Sequence, residues 1–112
     1  MAWRSSRPPA RIRAAARRAL KVRSEQPKSQ QAGTPVGLET ARQLAAGERL
    51  TGRRVLKAYS FLKRHQKSPG SAEKRQDKTS KASQAVGFWG GLGAIGWFSS
   101  QRDSFLKYRD GE

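Results

Sequence analysis

The stretch ARIRAAARRALKVRS, residues Ala10–Ser24, decides the fold because it combines a helical period with charge on one side only. At 100° per residue, its apolar side chains fall on one arc of the helical wheel and most of its cations on the opposite arc. The apolar arc holds Ile12, Ala15, Ala16, Ala19, Leu20 and Val22, and the cationic arc holds Arg11, Arg13, Arg17, Arg18 and Lys21. The pattern predicts an amphipathic helix that packs one face on a core and turns positive charge outward.

Residues 1–9, before this helix, predict a basic extended arm. Pro8-Pro9 prevents an earlier helix start, and the arm contains Arg4 and Arg7 but no acidic residue. Because so short a chain buries only a modest core, we expect a basic tail of this kind to become ordered against a partner.

Two further helices are predicted between residues 34 and 66. Thr34-Pro35 is a hydroxyl cap followed by proline at the first helical position, and Gly47 is a suitable helix end. A second start follows at Thr51, and the apolar period continues to about Gln66. We expect these helices to form a compact helix-turn-helix-like pair, so that residues 10–66 make one helical domain.

The remainder of the chain divides into a linker and a tail. Residues 67–82 have almost no apolar side chain and contain Pro69-Gly70, which predicts a flexible basic linker. Residues 83–112 predict an aromatic helical tail that bends at Gly90-Gly91 and packs on the domain or a partner. Its aromatic side chains are interpreted as core, with a protein interface as the alternative: Phe88, Trp89, Trp97 and Phe98.

Charge is the strongest functional signal. The 24 Lys and Arg residues against 8 Asp and Glu give a formal net charge of +16. Residues 1–24 contain eight cations and no acid, whereas residues 83–112 contain three of each. This asymmetry predicts a polyanion partner for the N-terminal half: DNA, RNA or an acidic protein surface. The candidate binding residues are Arg4, Arg7, Arg11, Arg13, Arg17, Arg18, Lys21, Arg53 and Arg54.

The sequence has few features that are typical of an enzyme, a metal-binding protein or a membrane protein. It has no cysteine and one histidine, His65, so we expect no metal ligand set, no cofactor, no small-molecule substrate and no enzyme activity. The uncharged apolar run Ala85–Phe98 is too short for a transmembrane helix. Residues 1–24 have no apolar run typical of a secretory signal. Arg7-Pro8-Pro9 also disfavours a mitochondrial transit peptide.

Two separated motifs stand out in the sequence. They consist of Ala15, Arg17–Leu20, Gly33-Thr34, Val36-Gly37, Ala41–Leu44, Leu50-Thr51, Val55–Phe61 and Arg64-His65 in the first motif, and Trp89–Gly91 and Trp97 in the second. Together they resemble a small helical domain of tailed phages that recurs beside or fused to head-maturation and virion-assembly proteins. They cover about Ala14–His65 and Val86–Phe98. The chain has Leu92 and Ala94 where that family usually has aspartate and glycine, and its basic linker also departs from the family pattern.

We therefore predict an all-α protein: a basic arm and amphipathic helix, a short helix pair, a flexible linker and an aromatic, glycine-rich C-terminal helix. The resemblance implies a non-enzymatic structural or assembly protein of a phage virion, located in the virion or in the host cytoplasm during assembly. Its expected partners are phage structural proteins, DNA or both, within a larger oligomeric assembly. A free-standing non-specific nucleic-acid-binding protein is the first alternative, and a ribosome-associated protein is the second.

Overall fold

The computed structural model describes residues 2–68 and 71–111, except for the side chains of residues 71, 72 and 75. The described residues form helices and no strand, which confirms the all-α prediction. Two 3-10 turns, Lys28–Gln30 and Leu92–Ala94, lie between helices. The α-helices are α1 (Ala10–Ser24), α2 (Pro35–Ala45), α3 (Gly52–Lys67), α4 (Ser71–Gln76), α5 (Lys81–Phe88) and α6 (Ile95–Asp110).

The starts of α2 and α3 are capped as the sequence predicts. The Thr34 hydroxyl accepts the N–H of Gly37 at 3.1 Å, and the Thr51 hydroxyl accepts the N–H of Arg54 at 3.2 Å. Each bond satisfies one of the amides that the first turn of a helix leaves without an internal partner.

The ends of α2 and α5 share one geometry that requires glycine. Gly47 (φ +73°) and Gly90 (φ +93°) occupy the left-handed region directly after the cap residues. After α2, the amides of Gly47 and Glu48 donate to the carbonyls of Leu44 and Gln43, which is the Schellman pattern. The same pattern after α5 turns the chain sharply before α6, as the Gly90-Gly91 pair predicts.

The packing of α2 and α3 differs from the predicted compact pair. α2 packs mainly on α1 and α5, whereas α3 packs mainly on α6. The loop between α2 and α3 is held by the N-terminal arm instead. The Ser5 amide donates to the Leu50 carbonyl, and the Ser5 hydroxyl accepts the Leu50 amide, both at 2.8 Å. Ser5 and Leu50 are fully buried, so this long-range pairing positions the start of α3.

Two close approaches need a residue without a Cβ. A Cβ on Gly87 of α5 would lie 2.6 Å from the Ala19 Cβ of α1, so glycine lets these helices touch. A Cβ on Gly52 would lie 2.3 Å from the ring of Phe105, which covers the start of α3. Glycine at both positions therefore sets the spacing of the α1–α5 and α3–α6 contacts.

The predicted linker, residues 67–82, contains more regular structure than expected. It includes α4 and a turn in which the Thr79 hydroxyl and amide donate to the Asp77 carboxylate at 2.7 and 2.9 Å. These bonds, the hydroxyl first, hold the pKa of Asp77 below its usual range. α4 packs on α5 and α3. The Pro69-Gly70 break lies outside the described residues.

Candidate polyanion-binding surface

Four cations of α1 form an exposed surface, which we call the α1 surface: Arg11, Arg17, Arg18 and Lys21. Ile12, Ala16 and Ala19 on the other side of α1 are buried in the core, so packing fixes which face of the helix meets solvent. α1 has no acidic residue, and among the described residues no ion pair involves any cation of α1. Apart from a long 3.4 Å bond from Arg11 to the Gly93 carbonyl, these four side chains form no hydrogen bond with the described residues. The α1 surface thus presents positive charge that the fold does not use.

The other two cations of α1 have structural roles. The Arg13 guanidinium donates to the Pro8 carbonyl at 2.7 Å, and the Arg23 Nε donates to the Ala32 carbonyl at 2.7 Å. Both residues are half-buried. The helical wheel places Arg13 on the exposed cationic face. In the structure, Arg13 lies at the side of α1 that Gly47, at the end of α2, approaches.

The N-terminal arm is held by its own chain, contrary to the expectation that a partner would order it. Besides the Ser5–Leu50 pair, the Ser6 amide donates to the Gln101 side chain at 2.9 Å. The Trp3 ring lies 5.2 Å from that of Phe105. Backbone bonds therefore place the arm between the start of α3 and α6. Arg4 and Arg7 remain exposed on this fixed backbone.

The two arginines at the start of α3 behave differently from each other. Arg53 is exposed, whereas Arg54 is half-buried and donates to the Thr40 hydroxyl of α2 at 2.7 Å. Thr40 is fully buried and donates in turn to the Val36 carbonyl. Arg54 is thus part of a link between α2 and α3, and Arg53 alone of the pair keeps an open guanidinium for an anion.

The aromatic side chains of the tail belong mainly to the core. Phe88, Trp89 and Phe98 are at most 4% exposed, in agreement with the core interpretation, and Trp97 is half-buried with its ring 4.9 Å from that of Phe98. Phe61 of α3 stacks on Trp89 at 5.2 Å and joins the α3–α6 pair to the other helices. His65 packs against Phe61 at 4.5 Å.

A buried glutamine, which the sequence patterns did not single out, joins α5 to the segment between α1 and α2 and to the turn before α5. Gln84 of α5 is 1% exposed, and its Oε1 accepts the Ala32 amide. Its Nε2 donates to the carbonyls of Gln30 and Thr79 at 2.9 and 2.8 Å. A lone glutamine in an apolar helix was the only available signal. Two of its three partners, Ala32 and Gln30, lie 52 and 54 residues away in the chain. These two bonds therefore depend on the tertiary fold.

A cavity of about 310 Å³ lies between α1 and α5, next to Arg18 and Lys78. Gln84 also lines it, but both amide hydrogens of that residue are already donated within the chain. The Gln84 side chain therefore serves the fold, whereas Arg18, which also lines the cavity, belongs to the α1 surface.

Compared with known proteins, the chain matches no family model, no curated protein and no solved structure. Across residues 2–68 and 71–111, no group of three or more His, Cys, Asp or Glu residues is placed to hold a metal ion. None of the helices in the described part of the chain is both long and apolar enough to cross a membrane. The α1 surface and the exposed cations Arg4, Arg7 and Arg53 carry the functional argument.

Proposed function

We propose that this protein is a non-enzymatic structural or assembly protein of a tailed-phage virion, and that it binds DNA through the α1 surface and the arm. The observation that supports DNA binding most directly is the α1 surface itself. Four exposed cations lie on one helix without an acidic neighbour on that helix, and they are supported by a packed core. The virion setting rests on the sequence resemblance to the phage domain.

The electrostatics favour a linear polyanion as the partner. Each exposed cation placed on a phosphate releases a condensed counterion, so binding gains free energy that salt removes. The described ion pairs, in contrast, are exposed and involve no residue of α1: Arg42–Glu39, Arg102–Asp103 and Arg109–Asp110. Nothing on the α1 surface is arranged to read base edges, so the expected binding is independent of sequence.

The direct test is fluorescence anisotropy of a short mixed-sequence duplex titrated with the whole protein at several salt concentrations. If Arg4, Arg7 and the four α1 cations each neutralise one phosphate, the slope of log K against log salt is about −5. Micromolar binding that weakens steeply with salt supports the proposal. No binding at low salt contradicts it and assigns the charge to an acidic protein surface instead.

The virion setting has its own test, which separates it from a free DNA-binding or ribosome-associated protein. A virion component remains with purified particles in fixed copy number after a high-salt wash, because protein contacts hold it there. Loss of the protein in that wash, or its sedimentation with ribosomes, contradicts the assembly role.

A further inference from the structure

A second line of cations runs along α3, and we call it the α3 stripe: Arg53, Lys57, Arg64 and Lys67. At 100° per residue these side chains fall within about 80° of the helical wheel, with Ser60 as their only companion on that arc. Along the helix axis, the distance from Arg53 to Lys67 is about 21 Å at 1.5 Å per residue. All five residues are exposed.

The described part of the fold makes no use of the cations in the α3 stripe. Its four cations form no ion pair or hydrogen bond with the described residues. α3, like α1, has no acidic residue. On its opposite side, Val55, Ala58 and Leu62 are fully buried, so the direction of the stripe is set by packing.

The chemistry of the α3 stripe fits a phosphate backbone. A line of cations matches a line of phosphates. The arc has no aromatic or large aliphatic side chain to anchor a protein interface or enter a membrane surface. Ser60, in the middle, adds a hydroxyl that is compatible with phosphate contact.

The α3 stripe and the α1 surface belong to different packing units. α1 packs on α2 and α5, and α3 packs on α6. α2 contacts both units, since it packs on α1 and its Thr40 accepts the bond from Arg54 of α3. The molecule is elongated, with extents of 47 × 29 × 23 Å. Two cationic faces therefore lie on two helices that are joined through a third.

We propose that the α3 stripe is a second DNA-backbone-binding surface, separate from the α1 surface, so that one protein molecule holds two duplex segments. This inference rests on the proposed DNA binding. It adds that one protein molecule binds two duplexes at the same time and so bridges them. A protein of this kind brings neighbouring turns of packed DNA together.

The test uses energy transfer between two populations of a duplex of roughly 16 base pairs, one labelled with a donor dye and one with an acceptor. Such a duplex is about as long as the molecule, at 3.4 Å per base pair. Two variants of the full-length protein remove one surface each. The α1 variant replaces Arg11, Arg17, Arg18 and Lys21 with Gln, and the α3 variant replaces Arg53, Lys57, Arg64 and Lys67 with Gln.

A charge-matched control removes four exposed cations elsewhere by replacing Lys28, Lys74, Lys81 and Lys107 with Gln. Circular dichroism first checks that all three variants keep the helix content of the unmodified protein. The unmodified protein and the control should bind two duplexes per molecule and produce energy transfer. Each surface variant should still bind one duplex by anisotropy, while its energy transfer falls to the level without protein.

Three results would overturn the inference. The unmodified protein could bind a single duplex without energy transfer, or the α3 variant could behave like the control. Energy transfer that survives in both surface variants would show bridging by self-association through either face. Absence of any duplex binding would instead contradict the proposed function itself, and the inference with it.

Discussion

α1 and the region α5–α6 use their side chains in opposite ways. α1 contributes only small or medium apolar residues to the core and keeps four cations in solvent. The C-terminal region contributes the large buried rings Phe88, Trp89 and Phe98, and residues 83–112 contain three acidic and three basic residues. Because folding relies on one region and positive charge is concentrated in the other, substitutions should separate stability from binding.

The largest expected loss of stability follows from a substitution in the aromatic C-terminal region. Phe98→Ala removes a fully buried ring and should lower the free energy of unfolding by about 3–5 kcal/mol, since a cavity replaces its contacts. Chemical denaturation followed by circular dichroism measures it. Tyr108→Ala, at a residue that is 37% exposed, is the comparison and should cost clearly less than Phe98→Ala. Equal losses for the two variants would contradict the core assignment.

The next largest loss of stability is expected where the two regions meet, at the contact between α1 and α5. Gly87→Ala places a Cβ 2.6 Å from that of Ala19 and should destabilise by about 1–3 kcal/mol, because α1 and α5 must move apart. Gly96→Ala is the matched control, since a Cβ there meets nothing within 4 Å. The control should gain a few tenths to about 1 kcal/mol from helix propensity. A stabilised Gly87→Ala protein would show that the helices do not approach so closely.

Within α1, the two kinds of cation should differ in stability. Arg23→Gln loses the bond to the Ala32 carbonyl and should cost about 1 kcal/mol. Arg17→Gln removes an exposed charge without a described partner and should stay within about 0.5 kcal/mol of the unmodified protein. Thermal unfolding of both variants at one salt concentration measures the difference. Indistinguishable stabilities would mean that Arg23 is also a free surface cation.

The smallest effect on stability is expected from the α1 variant that lacks Arg11, Arg17, Arg18 and Lys21. Its free energy of unfolding should be unchanged or slightly raised, because the removal of like charges reduces repulsion. The same unfolding assay gives the value. A loss of several kcal/mol would show that these cations stabilise the fold and are not reserved for a partner.

The features that the sequence predicts correctly are those with a local cause. Thr34 and Thr51 cap helices because a hydroxyl reaches an amide three residues on. Gly47 and Gly90 end helices because glycine tolerates positive φ. The amphipathic period of residues 10–24 places Ile12 in the core and Arg17 in solvent.

The features that sequence patterns missed depend on residues far apart in the chain. Ser5 pairs with Leu50, 45 residues away, and Ser6 pairs with Gln101, 95 residues away. Arg13 and Arg54 lie on cationic or polar arcs, yet the approach of other segments gives each an acceptor. A wheel describes one helix in isolation, so it distinguishes apolar from polar faces but does not show which cations are used by the fold.

The claim that α1 carries the DNA contact is tested most directly by the salt dependence of duplex binding. The slope of log K against log salt would be compared for the unmodified protein, the α1 variant and the control lacking Lys28, Lys74, Lys81 and Lys107. All three proteins would also have the α3 stripe replaced with Gln, so that only the α1 surface and the arm are left to bind. The account then predicts a slope shallower by about 3–4 for the α1 variant, since four phosphate contacts are lost, and little change for the control. Equal slopes for the α1 variant and the control would contradict it, because only total charge would then matter.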